Sequence, residues 1–464
     1  MIESRLNILI KKLTKSEKSQ FKKFLNSPFF NKRPDLLKLF TLLEKKKVAQ
    51  KNEAFSIIYP NEPYNDGKMR LCMSLLFQQI ERFLLITDYL QKDNEIAHAN
   101  QLVKIYLERD LPKHTDTAFK NAQTTLDQTV LQNDYYYDKR HELAYEVFQK
   151  IDRRQLDTEQ PLTEISAALD ISFILKKLKL ACVQITLQAV YGVSAEIHFL
   201  EACLNQIQRQ NLLQTPAVAV YFHCYQFLSK PESAANFEQF KILLFEHFQC
   251  FSATEVSDLL IASINFCVKQ YNSGNRNFLE SHLELYQFGF KNEIFIVNGE
   301  LSHYTYQNAV TFGLILKAYE WVRDILEDYK TYLPKQFKTS TYSFNAARLC
   351  YEQNDKNQAL MLLQKADSRD VLLSLSAKIL QLQIYYELEE FDLLHSHINA
   401  TQTYIRRKKI MGYHREIYVN SLKFTQRLMD LNPYDKTEKI QLKADILATK
   451  TLAEREWLLR QVEN

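Results

Sequence analysis

Short combinations of histidine, glutamate and cysteine are the residues of this sequence best suited to metal or catalytic chemistry. His141-Glu142-Leu-Ala-Tyr145 begins like the H-E-x-x-H helix of zinc proteases, in which two histidines one turn apart bind the ion. Position 145 is a tyrosine, so the motif lacks its second histidine ligand. Because the site cannot be completed locally, we expect no zinc chemistry at this segment.

Two other pairs have spacings that invite a metal interpretation. Glu95 and His98 are three residues apart and share one helix face, but a di-iron bundle needs two such motifs and two further glutamates. His395 and His397 are two residues apart, so on a helix they point about 200° away from each other and cannot share an ion. We therefore expect a structural role for both pairs.

The seven cysteines are scattered along the chain and form no C-x-x-C pair. This pattern is typical of reduced thiols in the cytosol rather than of a disulfide framework. His247 and Cys250 share a helix face, but a tetrahedral zinc site needs two more ligands that no spacing supplies. We predict a cytoplasmic protein without a metal or cofactor.

Motifs for nucleophilic catalysis and for nucleotide binding are missing from the sequence. It contains no G-x-S-x-G, G-x-x-x-x-G-K-[ST] or G-x-G-x-x-G, and its seven glycines are scattered. The apolar residues of the N-terminus are spaced rather than continuous, unlike a signal peptide, and the longest uncharged stretch is a poor bilayer span. These features predict a protein that is not an enzyme, with no small-molecule substrate and no membrane contact.

Charge is distributed unevenly along the chain. Residues 1–51, the basic head, hold fourteen Lys/Arg and four Asp/Glu, a local charge of +10, whereas the whole chain carries +4. Cations on one side of a helix can contact nucleic-acid phosphates, and the candidates are Lys15, Lys18, Lys22 and Lys23. The simpler interpretation is the solvated face of an amphipathic helix. The basic run 406–409 precedes Gly412, so its cations can interact with the carbonyl end of a helix that the glycine terminates. The alternative is contact with a nucleic acid or an acidic partner.

The elements that must position these residues are helices. Seven Gly and ten Pro in 464 residues are too few for the frequent turns of a sheet-rich fold, and good helix formers dominate between them. We predict an all-α fold. The polar segment 152–163, which contains Pro161, is the best candidate boundary. It divides the chain into an N-terminal helical region (1–155) and a repeat region (156–464).

Local signals predict several helix starts. Thr14-Lys-Ser-Glu17 is a capping box, in which the hydroxyl and the carboxylate satisfy each other's exposed backbone N–H groups. Pro34 suits the first turn of the next helix. Further helices are predicted at about 95–109, 115–132 and 135–153.

Internal repetition indicates how the helices are arranged. Three segments align on their helix starts: 317–329, 353–366 and 388–400. Val322, Ala359 and Leu394 then correspond, separated by 37 and 35 residues. A tetratricopeptide unit repeats at about 34 residues and has small residues where its two helices cross. Val322 and Leu394 are larger, which predicts wider helix spacing in those copies. We predict an α-solenoid of stacked helical hairpins, tetratricopeptide-like in the C-terminal half and clearest at about 306–400.

Four stretches together carry a family resemblance: residues 13–40, 298–314, 319–334 and 384–398. With them the chain resembles a family of uncharacterised bacterial helical-repeat proteins. The resemblance implies a cytoplasmic, all-helical protein with tetratricopeptide-like repeats in its C-terminal half. It implies no activity, ligand or catalytic residue.

The expected function follows from the predicted architecture. Each hairpin has an apolar face that it cannot bury alone, so stacked hairpins form an extended surface without an obligatory deep pocket. We expect a non-enzymatic scaffold that binds a peptide or protein partner on that surface. The alternative is a nucleic-acid-associated protein that contacts phosphates through the basic head.

Overall fold

The computed structural model describes residues 4–45, 50–91, 95–149, 160–366, 370–408, 412–432 and 434–463. Within these ranges the chain forms twenty-three α-helices and one two-stranded β-hairpin. The predicted all-α class is therefore confirmed.

The chain divides into two compact units. Unit 1 is residues 1–129 with 138–168, and unit 2 is residues 130–137 with 169–464. The predicted boundary at 152–163 covers residues 152–159, which lie outside the described ranges, and the start of one helix that contributes to both units.

Unit 1 is built mainly from the first eight helices. They are α1 (Arg5–Lys12), α2 (Lys15–Asn26), α3 (Pro34–Glu44), α4 (Lys51–Ile58), α5 (Asp66–Gln91), α6 (Glu95–Glu108), α7 (Pro112–Gln128) and α8 (Asp134–Phe148), of which α8 contributes to both units. The predicted capping box is confirmed, because the Thr14 N–H donates to the Glu17 carboxylate at 2.7 Å and the Glu17 N–H donates to Thr14 Oγ1 at 3.2 Å. Pro34 is the first residue of α3, as predicted.

One apolar core joins α1 to α5. Phe21 and Phe40 are fully buried there, with their rings 4.9 Å apart in an edge-to-face arrangement. The period of α2 places Phe21, Phe24 and Leu25 in this core. The same period leaves Lys15 and Lys23 exposed and Lys18 and Lys22 half-buried, which is compatible with an amphipathic surface helix.

Unit 2 contains the remaining helices and the β-hairpin. They are α9 (Gln160–Tyr191, shared with unit 1), α10 (Leu200–Arg209), α11 (Pro216–Ser229), α12 (Ala234–His247), α13 (Ala253–Asn272), α14 (Leu279–Lys291), β1 (Ile296–Val297), β2 (Glu300–Leu301), α15 (His303–Ile315), α16 (Tyr319–Asp328), α17 (Lys338–Glu352), α18 (Lys356–Leu363), α19 (Val371–Glu387), α20 (Phe391–Arg407), α21 (Gly412–Asp430), α22 (Lys436–Ala448) and α23 (Arg455–Glu463). The strands are antiparallel, and Asn298 and Gly299 between them both have positive φ, as a tight hairpin turn requires.

The helices of unit 2 pack as successive hairpins. α11 packs on α12, α13 on α14, α15 on α16, α17 on α18, and α19 on α20. The first helix of a hairpin also contacts the first helix of the next one in α15–α17, α17–α19 and α19–α21. We call the odd-numbered helices α9, α11, α13, α15, α17, α19 and α21 the A helices. The helix that follows each of them is a B helix, namely α10, α12, α14, α16, α18, α20 and α22.

The turn from A helix to B helix repeats the same geometry in three consecutive hairpins. Lys317, Asn354 and Glu389 all adopt the left-handed backbone conformation, with φ of 55°, 64° and 58°. In each turn the next residue donates its N–H to the carbonyl five residues earlier, at 2.8–3.0 Å, which is the Schellman motif. These residues are 37 and 35 residues apart, the same separations as Val322, Ala359 and Leu394.

Close helix crossing is retained where the sequence suggested wider spacing. Val322 is fully buried on α16, and a Cβ placed on Gly313 of α15 would lie only 2.5 Å from Val322 Cγ2. The small residue at this crossing is therefore supplied by the A helix. The expectation of wider spacing at Val322 is wrong, because the missing side chain of Gly313 compensates for the larger one of Val322.

Candidate functional site

The four lysines singled out in the sequence all lie on α2. Lys15 and Lys23 are exposed, and Lys18 is half-buried. Lys22 forms an ion pair with Glu44 of α3, with Nζ 2.6 Å from Oε2. Its charge is therefore partly neutralised within unit 1, so an anionic partner of α2 would meet the other three lysines first.

The loop after α2 adds an exposed aromatic residue that the sequence analysis did not single out. Phe29 is 81% exposed, although its neighbour Phe30 stacks on Phe24 with ring centroids 4.3 Å apart. Asn31 holds the loop, because its side-chain N–H groups donate to the carbonyls of Leu25 and Arg33, both at 2.9 Å. The exposed ring is thus presented on a hydrogen-bonded loop that directly follows the lysine-rich helix α2.

The second basic run lies at the end of α20. Arg406 and Arg407 form its last turn and are exposed, and Lys408 caps the helix. Lys409 lies outside the described residues. Cations in the last turn interact favourably with the carbonyl end of a helix, which is the structural role considered for this run.

Three of the five histidines considered as metal ligands are held by backbone carbonyl groups instead. One ring nitrogen of each of the three lies within hydrogen-bond distance of a carbonyl oxygen: His98 of Tyr89 at 2.9 Å, His141 of Ile165 at 3.1 Å and His397 of Lys378 at 2.8 Å. His395 is exposed and His247 is half-buried. Glu300-Leu-Ser-His303 also has the E-x-x-H spacing, but Glu300 lies in β2 and His303 opens α15. Among the residues that the structure describes, no three His, Cys, Asp or Glu side chains cluster as a metal site would require.

A polar cavity of about 240 Å³ lies among the A helices of unit 2; we call it the arginine cavity. It is lined by α15, α17, α19 and α21 and by the segment before α23, and the lining residues are Gln307, Thr311, Phe344, Arg348, Tyr351, Glu352, Ser376, Ile379, Leu380, Gln383, Tyr418, Ala453 and Glu454. None of these residues belongs to a B helix.

Arg348 is the cation of this cavity. It is half-buried, its Nη1 donates to Thr311 Oγ1 at 2.7 Å, and its guanidinium lies 5.7 Å from the centre of the Phe344 ring. Burial lowers the pKa of Arg348, because loss of water disfavours the charged form, and Glu454 and Glu352 oppose this shift through their charge. The cavity therefore contains a cation whose lost hydration is only partly replaced by contacts with the protein.

Two glutamates and several neutral polar groups complete the cavity. Glu352 and Glu454 are both exposed, and Glu454 accepts a hydrogen bond from Gln383 Nε2 at 3.1 Å. The hydroxyls of Ser376 on α19 and Tyr418 on α21 lie 3.1 Å apart. The cavity is thus polar, with its positive charge half-buried and its negative charges exposed.

The segment that supplies Glu454 is fixed to the A helices by further contacts. The Trp457 indole N–H donates to Glu387 at 2.8 Å, and Asn420 Nδ2 donates to the Thr451 carbonyl at 2.8 Å. Trp457 is buried. These contacts place the C-terminal segment beside α19 and α21 and so close one side of the arginine cavity.

A second cavity of about 410 Å³, the apolar groove, lies between the earlier A helices α9, α11 and α13. It is lined by Lys179, Cys182, Val183, Thr186, Leu187, Tyr221, Cys224, Glu255, Asp258, Leu259, Ile261 and Ala262. At its polar end Lys179 donates to both Asp134 and Glu255. Burial raises the pKa of Glu255, but the bond from Lys179 contributes to a net lowering of that pKa. Val183 and Ile261 are partly exposed in the groove, at 53% and 45%.

The sequence analysis missed the arginine cavity because nothing local marks it. Arg348 is a single cation in the helical stretch SFNAARLCY (343–351). Its neighbours Thr311, Gln383 and Glu454 come from three other segments of the chain. The one feature of the sequence that could have indicated it is a cation among small and apolar residues of a predicted repeat helix, since most side chains of such a stretch pack against neighbouring helices.

The chain matches no protein-family model, no curated protein and no solved structure in the three comparisons made. None of the described helices is both long and apolar enough to cross a bilayer.

Proposed function

We propose that this protein is a non-enzymatic scaffold that binds an extended peptide or protein partner along the A helices of unit 2. The observation that carries the proposal is the location of the two cavities. The arginine cavity and the apolar groove are lined by A helices, with residues 453–454 added, and by no B helix. These two cavities therefore lie among A helices, whereas a third cavity of about 240 Å³ lies between α9 and the B helix α10.

We infer that unit 2 is an α-solenoid with tetratricopeptide-like hairpins in its C-terminal half. Three consecutive A-to-B turns share their left-handed residue and their hydrogen bonds at separations of 37 and 35 residues. Ala347, Ala359 and Ala366 of the middle hairpin are all buried in one cluster. Repeated hairpins of this kind present an extended surface suited to a linear partner.

We also propose a reducing, cytoplasmic location for the protein. All seven cysteines are free thiols in the structure, and five of them are buried. Free buried thiols at this number are typical of intracellular proteins, where disulfides are rare.

Site-specific photo-crosslinking tests the proposed binding surface. A photoreactive amino acid is placed at Val183 or Ile261 on the A helices and, as matched controls, at Ile242 of α12 or Met361 of α18, which are 55% and 56% exposed. We expect the A-helix positions to crosslink the same partner in native lysate after nuclease treatment and a high-salt wash. Equal crosslinking from the B-helix positions, or none from the A-helix positions, would refute the proposal.

A second candidate function is nucleic-acid binding by the basic head, which the exposed ring of Phe29 in the loop that follows α2 favours. Aromatic rings stack on unpaired bases, and lysines contact phosphates. Binding of a labelled single-stranded oligonucleotide that falls steeply with salt and is weakened by Lys15→Ala with Lys23→Ala would support this candidate. Lys22→Ala is the internal comparison, because Lys22 already pairs with Glu44. Salt-insensitive binding would argue against phosphate contacts.

A further inference from the structure

The guanidinium of Arg348 has unused hydrogen-bonding capacity. An arginine carries five N–H donors, and the protein contact of this guanidinium with an acceptor is the single bond to Thr311 at 2.7 Å. In the described part of the chain, no carboxylate lies within ion-pair distance of it. Arg348 lines the arginine cavity, so its remaining N–H groups are available to a ligand there.

Such a group favours an anionic occupant. A half-buried cation without a paired anion has lost part of its hydration, and a carboxylate can restore that loss with two parallel N–H···O bonds. The guanidinium carbon also lies 5.7 Å from the centre of the Phe344 ring, within the range of a cation–π contact. Arg348 is thus prepared for one carboxylate.

The two glutamates add a second requirement. Glu352 and Glu454 line the same cavity, are exposed and have no cationic partner among the described residues. A ligand that carried only negative charge would be attracted by Arg348 and repelled by both of them. A ligand with a cation next to its carboxylate would interact favourably with all three groups.

The size of the cavity limits what can enter it. Pockets for drug-sized ligands measure about 300–1,000 Å³, and this one measures about 240 Å³. It therefore suits one or two side chains better than a nucleotide or a larger cofactor. The A helices on which it lies are those that we assign to the partner.

We propose that the arginine cavity binds a peptide segment with an acidic residue next to a basic one, the carboxylate on Arg348 and the cation between Glu352 and Glu454. This inference rests on the proposed scaffold function and specifies the chemistry of the partner. Glu352 is the last residue of α17 and Glu454 directly precedes α23. The experiment below tests both orders of the acidic and the basic peptide residue.

Fluorescence anisotropy with a small set of labelled peptides tests the inference. All are acetylated, amidated octapeptides in one Ala/Leu background, with Glu-Lys, Lys-Glu, Gln-Lys, Glu-Gln or Gln-Gln at the centre. We expect the wild-type protein to bind one of the two Glu/Lys peptides most tightly, and to lose about 10- to 100-fold in affinity when Glu is replaced by Gln. This range corresponds to one hydrogen bond to a charged group.

Variants assign the two charges to their residues. Arg348→Gln should remove the discrimination between Glu and Gln peptides, and Arg348→Lys should restore part of it, because an ammonium cannot form the bidentate pair. Glu352→Gln with Glu454→Gln should remove the preference for Lys and leave the preference for Glu. Arg323→Gln on the B helix α16, where Arg323 pairs with Glu320 at 2.6 Å, is the control and should bind as the wild type. Unchanged thermal unfolding of each variant confirms that it folds.

The outcomes separate this inference from the scaffold function. Equal binding of all five peptides, or no peptide binding while Val183 still crosslinks a partner, would overturn the charge assignment and leave the scaffold proposal in place. Absence of both peptide binding and crosslinking would overturn both. Loss of the Glu preference in Arg323→Gln as well as in Arg348→Gln would also overturn the assignment to the cavity.

Discussion

His282 makes the stability of unit 2 depend on pH in a way that the structure allows us to quantify. The side chain is fully buried on α14, and neither ring nitrogen has a hydrogen-bond partner among the described residues. Its ring lies 3.8 Å from the ring of Phe312 and stacks on Tyr286. Burial among these rings lowers the pKa of His282 from its ordinary 6.5 to about 4, because the charged form loses its water.

The sign and size of the effect follow from this shift. Below pH 6.5 the unfolded chain binds a proton at this histidine that the folded chain does not bind until about pH 4. Stability therefore falls as the pH decreases through this window, by about 2 kcal/mol between pH 7.5 and pH 5 and by about 3 kcal/mol in full. Replacement of His282 by Phe removes the titratable group and should therefore remove its contribution to the pH dependence of stability.

Urea unfolding followed by tryptophan fluorescence measures the pH dependence of stability in unit 2, which contains His282. The two tryptophans of the chain are Trp321 and Trp457, and both belong to unit 2. The quantity compared is the change in unfolding free energy between pH 7.5 and pH 5, so a constant packing penalty of the larger Phe ring cancels. His395→Phe on the exposed face of α20 is the matched control.

We expect the pH dependence of His282→Phe to be smaller than that of the wild type by about 2 kcal/mol over this interval, and His395→Phe to match the wild type. Lowered-pKa carboxylates such as Glu255 and Glu387 lose their contribution at lower pH, as the pH falls below the ordinary carboxylate range. If His282→Phe shows the full pH dependence of the wild type, the buried ring is hydrated or protonated in the folded state and the reasoning is wrong.

Three further substitutions test the packing of unit 2 by the same fluorescence assay. Gly313→Ala places a methyl group 2.5 Å from a Val322 carbon and should lower the unfolding free energy by about 1–2 kcal/mol, after allowing for the better helix propensity of Ala. Gly412→Ala is the control, because the new methyl group meets open space and should not destabilise. An equal effect of both substitutions would refute the close crossing. Glu389→Gly should stabilise unit 2 by about 0.5–1 kcal/mol, because glycine adopts the left-handed backbone conformation at this position without steric strain. Asp392→Gly in the first turn of α20 is the control and should destabilise. Destabilisation by both substitutions would refute the assigned turn. Lys179→Met leaves two carboxylates without their shared cation and should cost about 2 kcal/mol; a neutral result would mean that water replaces the ion pair.

The sequence by itself determined the features that depend on neighbouring residues. Scarce Gly and Pro and abundant helix formers led to the all-α class. Thr14 and Glu17 are three residues apart, so their capping box could be recognised without any tertiary information. The predicted helix at 95–109 was found at Glu95–Glu108, while that predicted at 115–132 was found at Pro112–Gln128. Helix ends were less predictable because the last turn depends on contacts outside the helix.

Only the tertiary structure decided which charges remain available to a partner. Lys22 resembled its neighbours in sequence, but α3 brings Glu44 within 2.6 Å of it. The residue that allows close crossing at Val322 is Gly313, nine positions earlier on the preceding helix. Arg348 lines one cavity with Thr311, Gln383 and Glu454 because hairpins from distant parts of the chain stack beside one another. Helix caps involve residues within one turn, whereas a site between helices depends on which faces pack together, and that choice is made by the whole core.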